Sequence, residues 1–593
     1  MAENEKMENL LNFALDVNAQ QREQSENLDV GYHKDEQTWD LIIKYSGDLS
    51  AVKALGVQVI QLMNNYAIVT TPQRLIRDIS ALPEVEYIEK PKRLFFAVSA
   101  GRQSSCITVA QDGFPGLSGR GVLVAVIDSG VDYTHPDFRT ADGQTRIVSL
   151  WDQTLENSPE ITLADQSRVK PGPPAGYRQG ILYTKPMIDA ALARENGLDS
   201  KAIVPSTDLS GHGTAVLGIA AGNGRQGGRG YRGVATESPI IVVKLGTPRE
   251  RNFPRTTELM QAINFVLEEA IRLQMPVAVN ISFGNNYGNH SGTSLLETYI
   301  NDVSSAGRNV IVIGTGNEAA SAGHTAGNVV EGQTKEVPLS VGDYQTAISV
   351  QIWKNFVDEI DIQLISPSGK SVGPIQERQG TLSFSIDQTW VLIYYGEPSP
   401  YSSAQEIYIE LIPKDTYIDG GLWMIRLIPK KIVEGSYEMW LPGAVSRNQG
   451  TRFLYGTPYT TLTIPSTAMK ALSVGAYDGA TGGVADFSGR GTPGYWMEKP
   501  DLLAPGVGVM TTASGGGYKP VTGTSFATPF VCGSAALMMQ WGIVQGNSPF
   551  LYGEKVKAYL RAGAQPVAGF DTYPNPITGY GRLCLSATFR RLL

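Results

Sequence analysis

Thr522-Gly523-Thr524-Ser525-Phe526-Ala527-Thr528-Pro529 leads directly into an apolar run, Phe530-Val531-Cys532-Gly533-Ser534-Ala535-Ala536-Leu537-Met538-Met539. Small residues ahead of Ser525 let the backbone approach a bound molecule, and the apolar run supplies a buried helix that carries the serine on its first turn. A helix N-terminus favours negative charge developing there. It does not make the hydroxyl a nucleophile at neutral pH, which needs an adjacent base. Taken alone, Gly-Thr-Ser is ordinary helix-capping chemistry. The reading therefore depends on what the rest of the chain can bring to Ser525.

Three other stations supply it. Gly121-Val122-Leu123-Val124-Ala125-Val126-Ile127 is the continuous β-branched run of a strand buried on both faces of a parallel sheet, and it ends in Asp128-Ser129-Gly130. The carboxyl tips of such strands are where open α/β sheets carry their ligands. Asp208-Leu209-Ser210-Gly211-His212-Gly213-Thr214 then opens a small-residue helix, with glycines leaving room on either side of His212. Of five histidines (His33, His135, His212, His290 and His324), His212 is the one set in an apolar helix that can bury it. Asn309-Val310-Ile311-Val312-Ile313 is a further buried strand, and Gly314-Thr315-Gly316-Asn317-Glu318 after it can present the Asn317 amide as an oxyanion donor.

Aspartate, histidine, amide and serine in this order resemble the catalytic blocks of the subtilisin-like serine proteases, whose triads run Asp…His…Ser. The resemblance covers roughly residues 105 to 330 and 455 to 590. It implies an α/β fold, a parallel sheet flanked by helices, and a serine endopeptidase in which Asp128, His212 and Ser525 form the triad and Asn317 the oxyanion hole. It also implies a protein or peptide substrate held as an added strand. Ser282, Phe283 and Gly284 would lie on one side of that substrate, and Lys244, Leu245 and Gly246 on the other. No metal is needed for the cleavage. Structural calcium is left open: Asp137 matches a calcium-binding position of some family members, but its partner loop is not recognisable, so it reads as a surface carboxylate.

Either side of these blocks the texture changes. Residues 1–34 are polar, with one helix expected around Met7 to Leu15, and read as a weakly ordered extension. Residues 35–97 alternate short strands and helices, an α+β unit that resembles a subtilase propeptide, a folding chaperone whose tail occupies the active site until the enzyme cuts it between about Phe95 and Ser105. The catalytic domain is expected in two parts, 98–328 and 457–593. Between them, residues 329–456 hold alternating segments such as Ile360–Ile365, Ile407–Ile412 and Trp423–Ile428, expected as an inserted β jelly roll that supplies no catalytic group. A propeptide, no signal sequence and a jelly roll at this position resemble the Csp germination proteases of clostridia, which sit in the spore, activate a cortex-lytic enzyme precursor and keep the cleaved propeptide bound without a covalent link. The alternatives are a general intracellular or secreted subtilase, or a regulatory pseudoprotease acting as a binding scaffold.

Composition sets the outer bounds. At 593 residues, with 42% hydrophobic and 18% charged, this is a multidomain globular chain. Its net charge of -8 gives no footprint for nucleic acid. Three cysteines, Cys106, Cys532 and Cys584, argue against a disulfide framework. Met1 to Asn27 lacks the basic and apolar regions of a secretory signal, and no apolar stretch is expected to span a membrane. A cytoplasmic or spore location is the expectation.

Overall fold

The computed structural model describes residues 6–7, 9–16, 31–34, 36–62, 65–90, 102–113, 115–194, 197–246, 254–377, 380–399, 402–494 and 497–592. Its contacts divide into two compact units, Met1–Phe95 and Phe96–Leu593.

The first unit is an antiparallel sheet whose central strand, Thr38–Tyr45, pairs with Tyr66–Pro72 on one edge and with Tyr32–His33 and Val85–Glu89 on the other. Every second residue of that strand, Trp39, Leu41, Ile43 and Tyr45, is buried, as a sheet with one covered face requires. The residues covering it include Val52, Ile76 and Ile79, and also Met7, Leu11 and Ala14. Helix Asn9–Asp16 thus belongs to this core, and a boundary at residue 34/35 falls inside the unit. The helix is a single short apolar segment, Leu10 to Leu15, in an otherwise polar stretch, and nothing in the sequence says which core it joins.

The second unit is built on an eight-stranded sheet. Its strands in chain order are β1 (Leu123–Asp128), β2 (Ile147–Asp152), β3 (Ile181–Thr184), β4 (Ile240–Lys244), β5 (Val277–Ile281), β6 (Asn309–Gly314), β7 (Leu472–Tyr477) and β8 (Leu502–Pro505). They lie in the order β3-β2-β4-β1-β5-β6-β7-β8, parallel except for β3 against β2. Pleating sends Val124 and Val126 of β1 into one core with helices α1 (His212–Ala221) and α4 (Thr524–Met539). Leu123, Ala125 and Ile127 enter another, with helices α2 (Thr256–Arg272) and α3 (Leu295–Val303). That two-sided cover is why β1 is apolar without interruption. Among the described residues one helix, Thr524–Val544, is long and apolar enough to cross a membrane, but 89% of its apolar window is buried, which makes it a core helix.

Between β6 and β7 the chain builds two antiparallel sheets of six and five strands. Strand Ala404–Pro413 alternates buried and half-buried residues, and Gly421–Lys431 alternates likewise over its middle. Val350, Ile352, Ile407 and Ile409 share one core with Ile362, Leu364, Ile425 and Leu427. This is a β-sandwich. It begins at His324, slightly before the expected boundary, because His324–Asn328 pairs with Ser436–Trp440.

Cys106 and Cys584 form a disulfide across 478 residues, and Cys532 is free and buried. The cysteine count misled because it says nothing about proximity. Helices Ile107–Asp112 and Leu585–Leu592, which begin beside the two cysteines, pack together.

Candidate active site

The site forms at the carboxyl ends of β1 and β6 and the first turns of α1 and α4. Asp128 is the last residue of β1 and fully buried. Its Oδ1 accepts hydrogen bonds from Ser129 N at 2.7 Å and from His212 Nδ1 at 2.7 Å. His212 opens α1 behind Gly211, whose φ of 68° places it in the left-handed region. A Cβ on Gly213 would lie 2.2 Å from the Gly130 carbonyl oxygen and 3.1 Å from Asp128 Cβ, so the helix closes on the carboxylate only with glycine there.

Asp208 fixes this approach. It accepts from Gly211 N (2.9 Å), Thr214 N (2.8 Å), Thr214 Oγ1 (2.7 Å) and Ser129 Oγ (2.9 Å), tying the start of α1 to the tip of β1. Burial works against its charge, yet the hydroxyl and amide donors hold its pKa below the usual carboxylate value. Sequence reasoning assigned Asp208 no role. The signal available was an aspartate three residues before the Gly211 N–H, a local capping arrangement.

Burial by itself would lower the pKa of His212. The charge and hydrogen bond of Asp128, with Asp208 behind it, outweigh burial and raise it above its ordinary value, while Lys519 opposes. With Nδ1 committed to Asp128, a neutral ring presents its lone pair at Nε2. His212 keeps 30% of its side chain exposed, whereas His135, His290 and His324 are almost completely buried. The expectation that His212 would be the buried histidine is therefore wrong. Its position at the helix mouth leaves it open to a ligand.

Ser525 lies in the first turn of α4, after Gly523 at φ 148°. Its Oγ donates to the Ser282 carbonyl at 3.5 Å, the outer limit for such a bond, while Ser282 Oγ donates back to the Ser525 carbonyl at 3.1 Å. The His212 ring lies 5.2 Å from the Phe526 ring, centroid to centroid, which brings the imidazole alongside this turn. Asn317 Oδ1 accepts from Thr524 N (3.0 Å) and Thr524 Oγ1 (3.2 Å). Since a backbone N–H can only donate, these contacts fix the orientation of the amide. Its Nδ2 lies 3.5 Å from where a Gly523 Cβ would be and donates to no protein atom among the described residues.

A cleft of about 470 Å³ is lined by Leu245, Leu259, Phe283, Gly284, Tyr287 and Ile464, among others. Pro442, Gly443, Val445 and Ser446, from the end of the inserted segment, also line it. That segment thus contributes a wall as well as packing beside the domain. Of the six residues expected to contact substrate, Leu245, Phe283 and Gly284 line the cleft. Ser282 instead braces the serine turn. Lys244 is turned aside, donating to the Thr207 carbonyl at 2.8 Å, 3.6 Å from buried Asp152. Gly246 does not line the cleft either; a Cβ there would meet Thr154 Cγ2 at 2.6 Å. The family resemblance placed the six on two segments, after β5 and at the end of β4, but could not say which side chains turn inward.

Asp137 is buried, not on the surface. Its carboxylate accepts from Gln226 N (2.9 Å) and Tyr518 Oη (2.9 Å), donors more than eighty residues away that sequence proximity could not reveal. Among the described residues no group of three histidine, cysteine, aspartate or glutamate side chains could hold a metal ion.

A profile of the subtilase family matches residues 119–408 and 449–581. The chain belongs to the subtilase family. In this subtilase a second profile, the Csp protease B prodomain, matches residues 5–92, nearly all of the first unit and including helix Asn9–Asp16. The structure of the Clostridium perfringens CspB protease superposes with a TM-score of 0.75 at 35% identity, covering 83% of this subtilase and 97% of that chain. The PII-type proteinase of Lactococcus lactis subsp. cremoris is 24% identical over 480 residues, covering 73% of this chain and 23% of that protein. The minor extracellular protease Vpr of Bacillus subtilis (strain 168) is 24% identical over 496 residues, covering 79% and 51%. The subtilase thus spans only a quarter to a half of these two curated relatives.

Proposed function

We propose that this subtilase is a serine endopeptidase whose Ser525 attacks a peptide carbonyl. His212 takes the serine proton and later delivers one to the leaving amine, and Asp128 holds the imidazole in the tautomer with Nε2 free. The observation that carries the reading is the 2.7 Å Asp128–His212 contact beside the Ser525 turn. For reaction the hydroxyl must leave the Ser282 carbonyl for His212, and a 3.5 Å bond is a weak restraint. Asn317 Nδ2 and the Ser525 backbone N–H would take the oxyanion. Asn317→Ala should then lower kcat by about 10² to 10³ with KM little changed. Steady-state kinetics on a fluorogenic peptide check this.

The sign of the pH dependence follows from His212. It must be neutral to act as base, and its pKa is raised, so kcat/KM should fall on the acid side with a midpoint above the ordinary histidine value of about 6.5. Stability runs the other way. A group whose pKa rises on folding contributes fully below its unfolded pKa and loses that contribution as pH climbs through the folded value. A pH–rate profile with its acid limb below 6 would contradict the assignment.

The first unit acts as a propeptide removed by self-cleavage and retained afterwards, the inserted sandwich is a jelly roll, and the substrate is the precursor of a spore cortex-lytic enzyme cleaved at germination. The CspB similarity supports this reading. The junction expected between Phe95 and Ser105 lies outside the described residues as far as Gly101. Arg102 and Ser105 are buried and Cys106 is disulfide-bonded, which favours a cut before Arg102. N-terminal sequencing of the large fragment should therefore start at or before Arg102, and the purified enzyme should shorten a cortex-lytic precursor while Ser525→Ala does not. The Cys106–Cys584 disulfide favours a second reading, a subtilase of an oxidising compartment with another target. An intact precursor alongside hydrolysed general protein substrate would select it.

A further inference from the structure

A second cavity, of about 710 Å³, is lined by five cations, Arg120, Arg146, Lys185, Arg229 and Arg232, and one carboxylate, Glu237. Arg146 and Pro239 immediately precede β2 and β4, so it lies at the amino-terminal edge of the sheet, the opposite edge from Asp128.

Three of the five cations are matched. Arg120 pairs with Glu237 at 2.9 Å, Lys185 with Asp189 at 2.7 Å, and Arg232 with Asp112. Among the described residues Arg146 and Arg229 have no carboxylate within ion-pair distance. Arg146 is the telling one. It is 8% exposed, and among the described residues its guanidinium donates only to backbone carbonyls, those of Ser238 (3.0 Å), Asp137 (2.7 Å) and Ala221. Its Nε is buried without a partner. A buried guanidinium is ordinarily matched by a counter-charge, because carbonyl dipoles replace only part of its lost hydration. The second unmatched cation, Arg229, stands exposed on the same wall. Asp137 and Glu237 favour the Arg146 charge only from beyond ion-pair distance, so the concavity keeps an excess of positive charge, five cations to one carboxylate, in a chain whose net charge is -8. Its volume falls in the range of small-molecule sites, about 300–1,000 Å³.

We propose that this cavity binds a small multivalent anion, a polyphosphate or polycarboxylate carrying at least two negative charges, at a site separate from the catalytic groups. The anion sits against Arg146 and is closed in by Arg229, and it stabilises the edge of the sheet from which β2 and β4 start. The proposal does not depend on the proteolytic reading.

The test is calorimetric titration of the full chain with inorganic pyrophosphate and, separately, citrate, each against sodium chloride of equal ionic strength, with melting temperature read in parallel. Saturable binding is expected with a rise in melting temperature. Affinity should fall at least tenfold in Arg229→Glu, an exposed position that leaves folding intact, and stay unchanged in Lys335→Glu on the sandwich. Arg146→Leu should abolish binding, and the Arg229 variant stands alone if it fails to fold. Binding of pyrophosphate alone assigns phosphate chemistry, and binding of both assigns a general polyanion site. No binding beyond the chloride control, or equal affinity in wild type and Arg229→Glu, overturns the proposal.

Discussion

Ser525→Ala is expected to lower kcat for peptide hydrolysis by about 10⁶ while leaving the melting temperature unchanged. The first half follows from the way a triad works: once the nucleophile or its base is gone the remaining members contribute almost nothing, and only the oxyanion site and substrate binding still accelerate the reaction. The second half follows from the local contacts. Among the described residues the Ser525 side chain makes a single hydrogen bond, 3.5 Å to the Ser282 carbonyl, and the brace from Ser282 Oγ goes to the Ser525 backbone, which alanine keeps. Helix α4 is anchored by Phe530, Val531 and Leu537, all fully buried, so it does not depend on the serine. Peptide kinetics beside a thermal melt check both halves. A rate loss below tenfold, or a melt several degrees lower, would mean that Ser525 serves the fold.

The second large effect concerns Asp501, far from any catalytic role. This carboxylate is completely buried beside three cations: Lys499 Nζ at 3.1 Å, Lys557 Nζ at 3.3 Å and the Arg561 guanidinium, whose Nε donates to it at 2.7 Å. Ser473 N adds a bond of 2.7 Å. Burial disfavours the charge of Asp501, but the surrounding cations outweigh it and hold its pKa far below the carboxylate range. Burial pushes Lys499 down to about 7 despite the pull of Asp501. Asp501→Asn keeps the shape and removes the only carboxylate in ion-pair reach of Lys499, Lys557 and Arg561 among the described residues. Removing one partner from a buried ion pair costs about 3–5 kcal/mol, because the remaining charge stays buried without compensation. Chemical denaturation should show a loss of that size. A loss under 1 kcal/mol would mean that the cations can turn out to solvent.

How much of this was legible beforehand differs from residue to residue. β1 and β6 were readable because both faces of the sheet are covered, so their runs Leu123–Ile127 and Val310–Ile313 have no polar interruption, whereas the segments that end β4 and follow β5 entered only through the family resemblance. The sandwich strands were readable for the converse reason, one covered face and strict alternation. His212 was found for a partly mistaken reason: His135, His290 and His324 are the buried ones, and what distinguishes His212 is a glycine on either side and an aspartate at Nδ1. Pairings between distant segments left no trace in the sequence. Cys106 with Cys584, Asp137 with Tyr518, and Asp501 with Arg561 each depend on the folded path of the chain, and none lies in a periodic pattern or motif. Helix Asn9–Asp16 was seen, but its membership in the first core was not, because the polar residues between it and Thr38 give no sign of which sheet face it covers.

The most direct test is intact-mass and peptide mapping after reaction with a fluorophosphonate, on the full chain and after residues 1–95 have been removed by limited proteolysis. An activated serine should take up one equivalent at Ser525, with labelling slowed at least a thousandfold in His212→Ala. Labelling at another residue, no labelling of the trimmed wild type, or equal rates in wild type and His212→Ala would contradict the Asp128–His212–Ser525 assignment.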